Sequence, residues 1–467
     1  MDLVNKLWNF CHTLRHEGVD YNDYIEELTY LLFIKIAEER GIKIPEGCNW
    51  KALVSCDTEK LLITYNNILT ALSEQKNIIG DIFKQPIARI RSATALKKLL
   101  NLIGEISWSE YDEDILGSMF EGLLEKAATE SKKGAGQYFT PRPLINAIIR
   151  VMKPNPFESP TFTISDVACG TAGFIISSFE WWRRINSLTK LNTNQKKKLF
   201  EKTYYGQELV LRPRRLAQVN LFLHGITPNI KLGDTIDTIY NSEFDGQHEC
   251  VLTNPPFGNK GADQIPNRPD FKIKTSNKQL NFIQHVYSCL KHKGRAAIVL
   301  PDNVLTEEKA IELWKYLLPL CNLHTILKLP NGTFLPYANV KAIVIFLQKG
   351  IPTKKTWIFD ARTNIESINK SGRPLSEDHF NEFISCFGTD PNAQKREKDH
   401  VKNARFRSFS IYQIEGRGYN LDINWRLGKQ GIINNSKSSP NEALELAIQN
   451  MEGMIKNLKK ILTTIDN

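Results

Sequence analysis

The residues best suited to chemistry stand in segment 251–258, Val-Leu-Thr-Asn-Pro-Pro-Phe-Gly. Within it, Asn254-Pro255-Pro256-Phe257 is a combination that ordinary residue frequencies seldom produce. The two prolines fix the backbone and remove two donors, which leaves carbonyl oxygens exposed as acceptors. The side-chain oxygen of Asn254 and a proline carbonyl can therefore hold one exocyclic NH2 group between them.

An exocyclic amino nitrogen is a poor nucleophile, because its lone pair is delocalised into the ring. Nucleophilic attack by this nitrogen therefore needs such acceptors. Hydrogen bonds to its two protons help it become pyramidal and stabilise the positive charge that grows during attack. Phe257 adds an aromatic face on which an extruded base can stack. The plainer alternative is a rigid turn at the end of a strand.

A second candidate is the loop Asp166-Val-Ala-Cys-Gly-Thr-Ala-Gly-Phe174, which directly follows a predicted strand. Gly170 and Gly173 allow a tight turn and a close approach of a ligand where open α/β sheets bind ligands. The loop lacks the Gly-x-Gly-x-x-Gly pattern, which disfavours a dinucleotide. A loop of small residues that opens a helix can also be only a turn, so both interpretations stay open.

Two acids follow the next two predicted strands. Glu208, in Gly-Gln-Glu, can accept hydrogen bonds from ribose hydroxyls, although a lone glutamate at a strand end is commonly a solvated surface residue. Asp234, in Gly-Asp-Thr, can accept a hydrogen bond from an adenine amino group or can merely cap the next helix. Either acid suits a nucleoside ligand.

These segments need a sheet to position them, and the sequence from about residue 160 predicts one. Seven short β-rich runs are present, and stretches long enough for crossover helices separate the early ones, which implies a parallel sheet with helices on both faces. The runs are 162–167, 203–206, 229–232, 250–253, 296–300, 325–329 and 342–347. The last two are expected to form an antiparallel hairpin at one edge. The predicted fold of residues 131–350 is a Rossmann-like, mixed seven-stranded α/β sheet.

Helices are predicted on both sides of this sheet domain. In residues 1–130, apolar positions such as 3, 7, 10 and 14 follow a 4-3-4 spacing, which predicts an α-helical N-terminal domain. The C-terminal region 351–467 is mixed and polar until a helix over 439–466, which opens with a capping box and proline. Seven apolar residues from Leu444 to Ile465 then keep a strict 4-3-4-3-4-3 spacing, the seam of a coiled coil.

The net charge of +10 is unevenly distributed. Residues 1–130 have a balance of −7 and the remainder +17. A strongly basic remainder favours nucleic acid as a ligand, with uneven surface charge as the alternative. The eight cysteines lack a Cys-x-x-Cys pair, which indicates reduced thiols and no zinc site. Apolar runs fall far short of the roughly 20 residues that cross a bilayer. We expect a cytoplasmic protein without a membrane or metal partner.

Residues 254–257 resemble the catalytic motif of S-adenosylmethionine-dependent amino-methyltransferases of DNA, with phenylalanine typical of the adenine-N6 type. The loop 166–174 is similar to that family's methionine-binding loop, usually Asp-Pro-x-x-Gly-x-Gly-x-Phe, from which Val167 and Ala172 depart. Residues 137–142 look like its N-terminal cofactor motif, and their position before the glycine loop matches the gamma order of motifs.

This resemblance implies S-adenosyl-L-methionine as the cofactor and assigns roles to individual residues. Phe139 and Thr140 are expected to contact the amino-acid end of the cofactor. The residues expected to be catalytic are Asn254, Pro255, Pro256 and Phe257. Those expected to bind the cofactor are Gln137, Tyr138, Phe139, Thr140, Pro141, Arg142, Asp166, Gly170, Thr171, Ala172, Gly173, Glu208 and Asp234.

The closer resemblance is to the modification (M) subunit of type I restriction-modification systems. It covers nearly the whole chain, including the helical N-terminal domain, segment 136–141, the segment Lys328-Leu-Pro-Asn-Gly-Thr-Phe334 and the C-terminal helix. It implies methylation of adenine N6 in double-stranded DNA at a sequence supplied by a separate specificity (S) subunit. It further implies two M subunits around one S subunit, a restriction (R) subunit that cleaves DNA, and a bacterial or archaeal cytoplasm.

Two alternatives stay open from the sequence. A protein glutamine N5-methyltransferase also uses Asn-Pro-Pro-aromatic, although such enzymes usually have tyrosine at the position of Phe257 and lack the helical domain and tail. The chain could instead be a non-catalytic DNA-binding assembly subunit with a decayed cofactor pocket. The intact acidic, aromatic and Asn-Pro-Pro positions argue against decay, and binding of labelled cofactor would discriminate.

Overall fold

The computed structural model describes residues 3–15, 18–130, 140–236, 246–257, 265–335, 340–362, 368–369, 372–396 and 405–425. Nearly all of them belong to one compact unit, Met1–His400 with Arg405–Ile423. The second unit, Val401–Ala404 with Asn424–Asn467, is described only at residues 424 and 425. The helix predicted over 439–466 therefore lies outside the described residues.

The predicted helical N-terminal region is confirmed, and each 4-3-4 pattern coincides with a helix. Its helices are α1 (Leu3–Arg15), α2 (Tyr21–Glu39), α3 (Trp50–Val54), α4 (Leu61–Ser73), α5 (Ile78–Ile82), α6 (Ala93–Gly104) and α7 (Glu113–Glu130). Local capping explains several starts, since the side chains of Asp20 and Ser92 accept hydrogen bonds from the first turns of α2 and α6.

The remaining helices and strands form an α/β sheet domain. Its helices are α8 (Arg142–Met152), α9 (Gly173–Ile185), α10 (Thr193–Glu201), α11 (Leu211–Leu223), α12 (Lys278–Cys289), α13 (Glu308–Leu317), α14 (Asn381–Phe387) and α15 (Ile411–Glu415). Its strands are β1 (Ile164–Asp166), β2 (Tyr204–Glu208), β3 (Ile230–Leu232), β4 (His248–Thr253), β5 (Leu290–Pro301), β6 (Cys321–Lys328), β7 (Ala342–Lys349), β8 (Lys355–Asp360) and β9 (Phe406–Ser410).

The strands form one mixed sheet in the order β3-β2-β1-β4-β5-β7-β6-β8-β9. Strands β1 to β5 are parallel to their neighbours within that group, and β7 runs antiparallel to both β5 and β6. All seven runs predicted from the sequence are strands, which confirms a mixed Rossmann-like sheet. Among the described helices, none is long and apolar enough to cross a membrane.

The predicted number of seven strands is wrong, because β8 and β9 bring the sheet to nine. The β6–β7 hairpin is consequently internal, with β8 parallel to β6 and β9 antiparallel to β8. Strand β8 has only a short apolar run among polar residues, so its pairing with β6 and the stacking of Trp357 on Phe406 at 5.0 Å define it. Such non-local contacts leave no periodic signal in the sequence.

The helical N-terminal region packs on the sheet domain through α11. Leu216, Val219 and Leu223 of that helix belong to the same hydrophobic core as the helices α1 to α7. Beside this core, the buried Arg215 forms an ion pair with the buried Glu26 of α2. Its guanidinium also donates to the carbonyls of Ile82 (2.8 Å) and Lys84 (2.5 Å). Arg215 thus joins the two regions through several charge-assisted hydrogen bonds.

Replacement of Arg215 by alanine is expected to lower the free energy of unfolding by about 3 kcal/mol, because it removes the cation from a buried ion pair. Arg212 is the matched control, since it also contacts Glu26 (3.0 Å) but is 31% exposed. Arg212→Ala should cost about 1 kcal/mol or less. Denaturant unfolding measures both, and equal losses would contradict the importance of the buried pair.

Candidate functional site

Four of the predicted site residues meet at the carboxyl edge of the parallel strands. Asp166 ends β1 and Glu208 ends β2, while Asp234 and Asn254 follow β3 and β4 closely. The strand order β3-β2-β1-β4 places them side by side along this edge. The chain proceeds from β1 to β2 on one side and reaches β4 on the other, so β1 and β4 flank a topological switch point. Open α/β sheets bind ligands at such a point.

The glycine loop turns sharply at this switch point. Gly170 has φ +53°, and Ala172 has φ +68°, in the left-handed region that glycine normally occupies. Ala172 is the position at which the resembling motif usually has glycine, so the chain keeps that backbone conformation with a different residue. Gly173 serves another purpose, because a Cβ there would lie 3.1 Å from the side chain of Ile145. It allows α9 to begin close to α8.

Two buried carboxylates line the loop. Asp166 accepts a hydrogen bond from the backbone N–H of Ala168 (3.1 Å), and burial raises its pKa to about 7. Glu208 accepts from the backbone N–H groups of Gly170 (2.9 Å) and Val210 (2.9 Å), one on each oxygen. Burial also raises the pKa of Glu208. A carboxylate has about four acceptor sites, so Glu208 retains acceptor capacity for a ligand hydroxyl.

The Asn-Pro-Pro turn is held from two sides. The Asn254 amide nitrogen donates to Thr140 Oγ1 at 2.8 Å, while Asn254 Oδ1 is buried and has no partner among the described residues. Gln279, at the start of α12, donates to the carbonyl of Pro256 at 3.1 Å. The rings of Phe257 and Phe334 are nearly perpendicular, with centroids 5.2 Å apart. The turn therefore presents an oriented acceptor that no described residue satisfies.

The other predicted site residues are distributed differently. Asp234 accepts a hydrogen bond from the backbone N–H of Ile236 at 2.8 Å, as a residue that begins a turn does.

The guanidinium of Arg142 contacts Glu121, Ser177 Oγ (2.5 Å) and the carbonyl of Gly173 (3.3 Å). It therefore contacts the glycine loop at Gly173 from the start of α8. Gln137, Tyr138 and Phe139 lie outside the described residues, and Pro141 precedes α8 as its cap.

Three polar side chains on neighbouring helices support this site and were not predicted from the sequence. They are Gln279 on α12, Asn220 on α11 and Glu121 on α7. Gln279 and Asn220 are buried although polar, which is costly unless they are hydrogen-bonded. The available signal was an unusual number of amides within apolar helices, such as Gln279, Asn281 and Gln284 in α12. That signal does not identify their partners.

Comparison with known proteins identifies the family. The sequence matches the family model described as N-6 DNA Methylase over residues 111–432, and the HsdM N-terminal domain over residues 3–43. The type I restriction enzyme StySPI methylase subunit of Salmonella potsdam is 37% identical, over 94% of this chain and 90% of that protein. The EcoKI methylase subunit of Escherichia coli strain K12 is 35% identical, over 98% and 94%.

Two solved structures of type I restriction-modification proteins are also similar to this chain. The crystal structure of the EcoKI M protein is 31% identical, with a TM-score of 0.57 over 98% of this chain and 95% of that one. A chain from work on complex assembly and conformational transition of the type I R-M system has a TM-score of 0.74 at 24% identity, over 100% and 98%. The latter likeness shows the shared fold.

The fold, the strand-end acids and the family match together define the class: the chain is an N-6 DNA methylase. Within that class, it belongs to the methylase subunits of type I restriction enzymes, because relatives at 35–37% identity align with nearly its whole length. The resemblance inferred from the sequence motifs is thereby confirmed. Neither a glutamine N5-methyltransferase nor a non-catalytic assembly subunit receives support from these comparisons.

Proposed function

We propose that this chain methylates the N6 amino group of adenine in double-stranded DNA, as the M subunit of a type I restriction-modification complex. The observation that carries the proposal is Asn254 Oδ1, which is buried and unpaired among the described residues. A buried acceptor without a donor is costly, and this cost favours a ligand that brings one. An exocyclic amino group of an extruded base is such a donor.

Within this proposal, the neighbours of the turn decide which oxygens receive the amino group. Thr140 accepts from the Asn254 amide nitrogen, so Oδ1 is directed toward the substrate. Gln279 already donates to the Pro256 carbonyl, and we assign the second substrate proton to the carbonyl of Pro255. Both oxygens stabilise the positive charge that grows on the attacking nitrogen. Phe257 stacks on the extruded base.

The cofactor we propose is S-adenosyl-L-methionine, which supplies an electrophilic methyl group when bound. Glu208 would accept hydrogen bonds from its ribose hydroxyls and Asp234 from its adenine amino group. The glycine loop, 166–173, and segment 137–142 would lie along its methionine end. The buried carboxylate of Asp166 suits this cofactor, because a cationic ligand stabilises an ionised acid.

The partners we propose follow the relatives. EcoKI and StySPI are named as methylase subunits of type I restriction enzymes, which implies partner subunits in those enzymes. We assign to this chain an S subunit that selects the DNA sequence, a second M subunit and an R subunit. The direct test is transfer of labelled methyl groups to duplex DNA by the chain reconstituted with its S subunit. Absence of transfer by the assembled complex would refute the proposal.

Replacement of Glu208 by alanine is expected to weaken S-adenosylmethionine binding by roughly 1.5–3 kcal/mol, the usual value of hydrogen bonds to a charged group. Isothermal titration of the chain alone can measure this without DNA. Glu201 is a matched control, because it is an exposed acid at the end of α10, shortly before β2. If Glu208→Ala and Glu201→Ala both bind normally, the cofactor does not lie at the end of β2.

Affinity for S-adenosylmethionine is expected to rise about tenfold between pH 5.5 and 7. Burial raises the pKa of Asp166 to about 7 and raises the pKa of Glu208 as well. Below its pKa the Asp166 carboxyl is protonated, and only the carboxylate attracts the cationic ligand. Affinity therefore falls as the pH falls, and binding in this range releases protons.

Titration calorimetry in buffers of different ionisation enthalpy measures both the affinity and the proton release. Asp166→Asn should flatten the dependence on pH, because the amide does not titrate. A wild-type affinity that is constant from pH 5.5 to 7 would contradict a role for the Asp166 carboxylate.

A further inference from the structure

Glu121, on α7 of the helical N-terminal region, contacts two side chains of the sheet domain at once. Its Oε1 atom forms an ion pair with Arg142 at the start of α8 and accepts a hydrogen bond from Asn220 Nδ2 of α11 at 3.2 Å. We call Glu121, Arg142 and Asn220 the Glu121 cluster. The exposed fractions of the Glu121 and Arg142 side chains are only 14% and 20%. One carboxylate therefore joins three helices at the boundary of the two regions.

Two side chains of the Glu121 cluster donate hydrogen bonds to the glycine loop. Asn220 Nδ2 donates to the carbonyl of Thr171 at 3.1 Å as well as to Glu121. Arg142 Nη1 donates to the carbonyl of Gly173 at 3.3 Å. These two carbonyls lie on either side of Ala172, whose φ of +68° is unfavourable for alanine. The contacts thus hold the strained part of the loop.

The cluster also reaches the Asn-Pro-Pro turn. Arg142 follows Thr140 by two residues, and Thr140 accepts the hydrogen bond that orients the Asn254 amide. The intervening Pro141 has a fixed φ, so a displacement of Arg142 is transmitted to Thr140. The sequence resemblance assigned Arg142 to the cofactor, whereas the structure directs its guanidinium to Glu121, Ser177 and Gly173.

We propose that Glu121 is a positioning residue for methyl transfer, through which the helical region sets both the glycine loop and the orientation of Asn254. The carboxylate acts through Arg142 and Asn220 and needs no contact with substrate or cofactor. This inference rests on the proposed function and adds a second role for the helical region besides packing. Removal of the Glu121 charge leaves Arg142 without its ion-pair partner on α7. The glycine loop and Thr140 are then both positioned less firmly, because both depend on Arg142.

The test uses the full-length chain reconstituted with its S subunit, in the variants Glu121→Gln and Asp114→Asn. Asp114 is the matched control, because it also lies on α7 and pairs with Arg183 of α9 but is 51% exposed. Glu121→Gln keeps the size and one acceptor oxygen while removing the charge. Misplaced reacting groups lower rates steeply, so we expect kcat to fall about tenfold and KM for S-adenosylmethionine to rise about threefold. Asp114→Asn should stay within about twofold of wild type.

If Glu121 only stabilised the fold, its substitution would lower the fraction of folded chains and leave the folded ones with normal affinity. Binding stoichiometry, measured by titration with S-adenosylmethionine, separates the two roles. Glu121→Gln should keep one site per chain with weaker affinity, whereas partial unfolding would reduce the number of sites and leave their affinity unchanged. The double variant Glu121→Gln/Asn220→Ala should lose less affinity than the two single variants combined, since both act in one network.

Three results would overturn the inference: wild-type kcat and affinity in Glu121→Gln, losses equal to those of Asp114→Asn, or fewer sites of normal affinity. Failure of the proposed function is distinguishable, because it would be seen in the wild-type complex as an absence of DNA methylation. In that case the affinity comparison between the two variants still decides whether Glu121 positions the cofactor loop. A wild-type chain that binds no S-adenosylmethionine would overturn both.

Discussion

Replacement of Asn254 by alanine is expected to lower the rate of methyl transfer by about 100-fold or more, as removal of other preorganised electrostatic groups does. Asn254 Oδ1 is a buried acceptor without a partner in the described part of the chain, and the alanine variant leaves one substrate proton without a partner. Binding of S-adenosylmethionine should stay close to wild type, because the acids that we assign to the cofactor are untouched. The measurement is single-turnover methylation of duplex DNA by the reconstituted complex.

Two controls make this result specific. Asn254→Asp keeps an acceptor oxygen and should retain more activity than Asn254→Ala, since Thr140 can then donate its hydroxyl proton to the carboxylate. Asn303→Ala alters an asparagine whose amide contacts Glu307 and should not affect turnover to a similar extent. Turnover by Asn254→Ala at the wild-type rate would show that this turn does not bind the reacting amino group.

Truncation after Ser438 is expected to abolish stable co-purification with the S subunit and, with it, sequence-specific methylation. The removed segment is predicted from its sequence to be a helix with seven seam residues from Leu444 to Ile465, and a single helix cannot bury such a seam on itself. The proposed cofactor residues lie at least 200 positions earlier in the sequence. Cofactor affinity should therefore stay near normal, which gives an internal check that the truncated chain is folded.

A finer test keeps the tail and changes only its seam. Met451→Glu with Leu458→Glu places charges in the seam, and Asn450→Glu with Asn457→Glu places the same charges on the neighbouring residues outside it. Only the first pair should prevent assembly. Normal assembly and methylation by the truncated chain would contradict the proposed role. If the truncated chain instead precipitates alone, the tail packs on the N-terminal helices of its own chain.

The sequence predicted the parts of the fold whose signals are local. Seven strands have compact apolar runs, and helices such as α1 and α2 show apolar spacing along one face. The strand-end residues could be predicted as a site because the carboxyl ends of parallel strands meet at one edge. Asp166, Glu208 and Asn254 do meet there.

The sequence could not predict the contacts that depend on distant partners. Strands β8 and β9 are defined by pairing within the completed sheet. Glu121 lies 99 positions from Asn220, and Gln279 lies 23 positions from Pro256. A buried glutamine or asparagine in a helix indicates that a partner exists, but only the packed structure identifies it. The residues that support the turn and the loop were therefore missed.

The most direct test of the proposed function is the chemical identity of the product base. The wild-type chain, reconstituted with its S subunit, is incubated with S-adenosylmethionine and duplex DNA, and the nucleosides are separated by chromatography with mass spectrometry. We expect N6-methyldeoxyadenosine in the wild-type reaction and its near absence with Asn254→Ala. Methylcytosine as the only product, or no methylated nucleoside from the assembled complex, would contradict it.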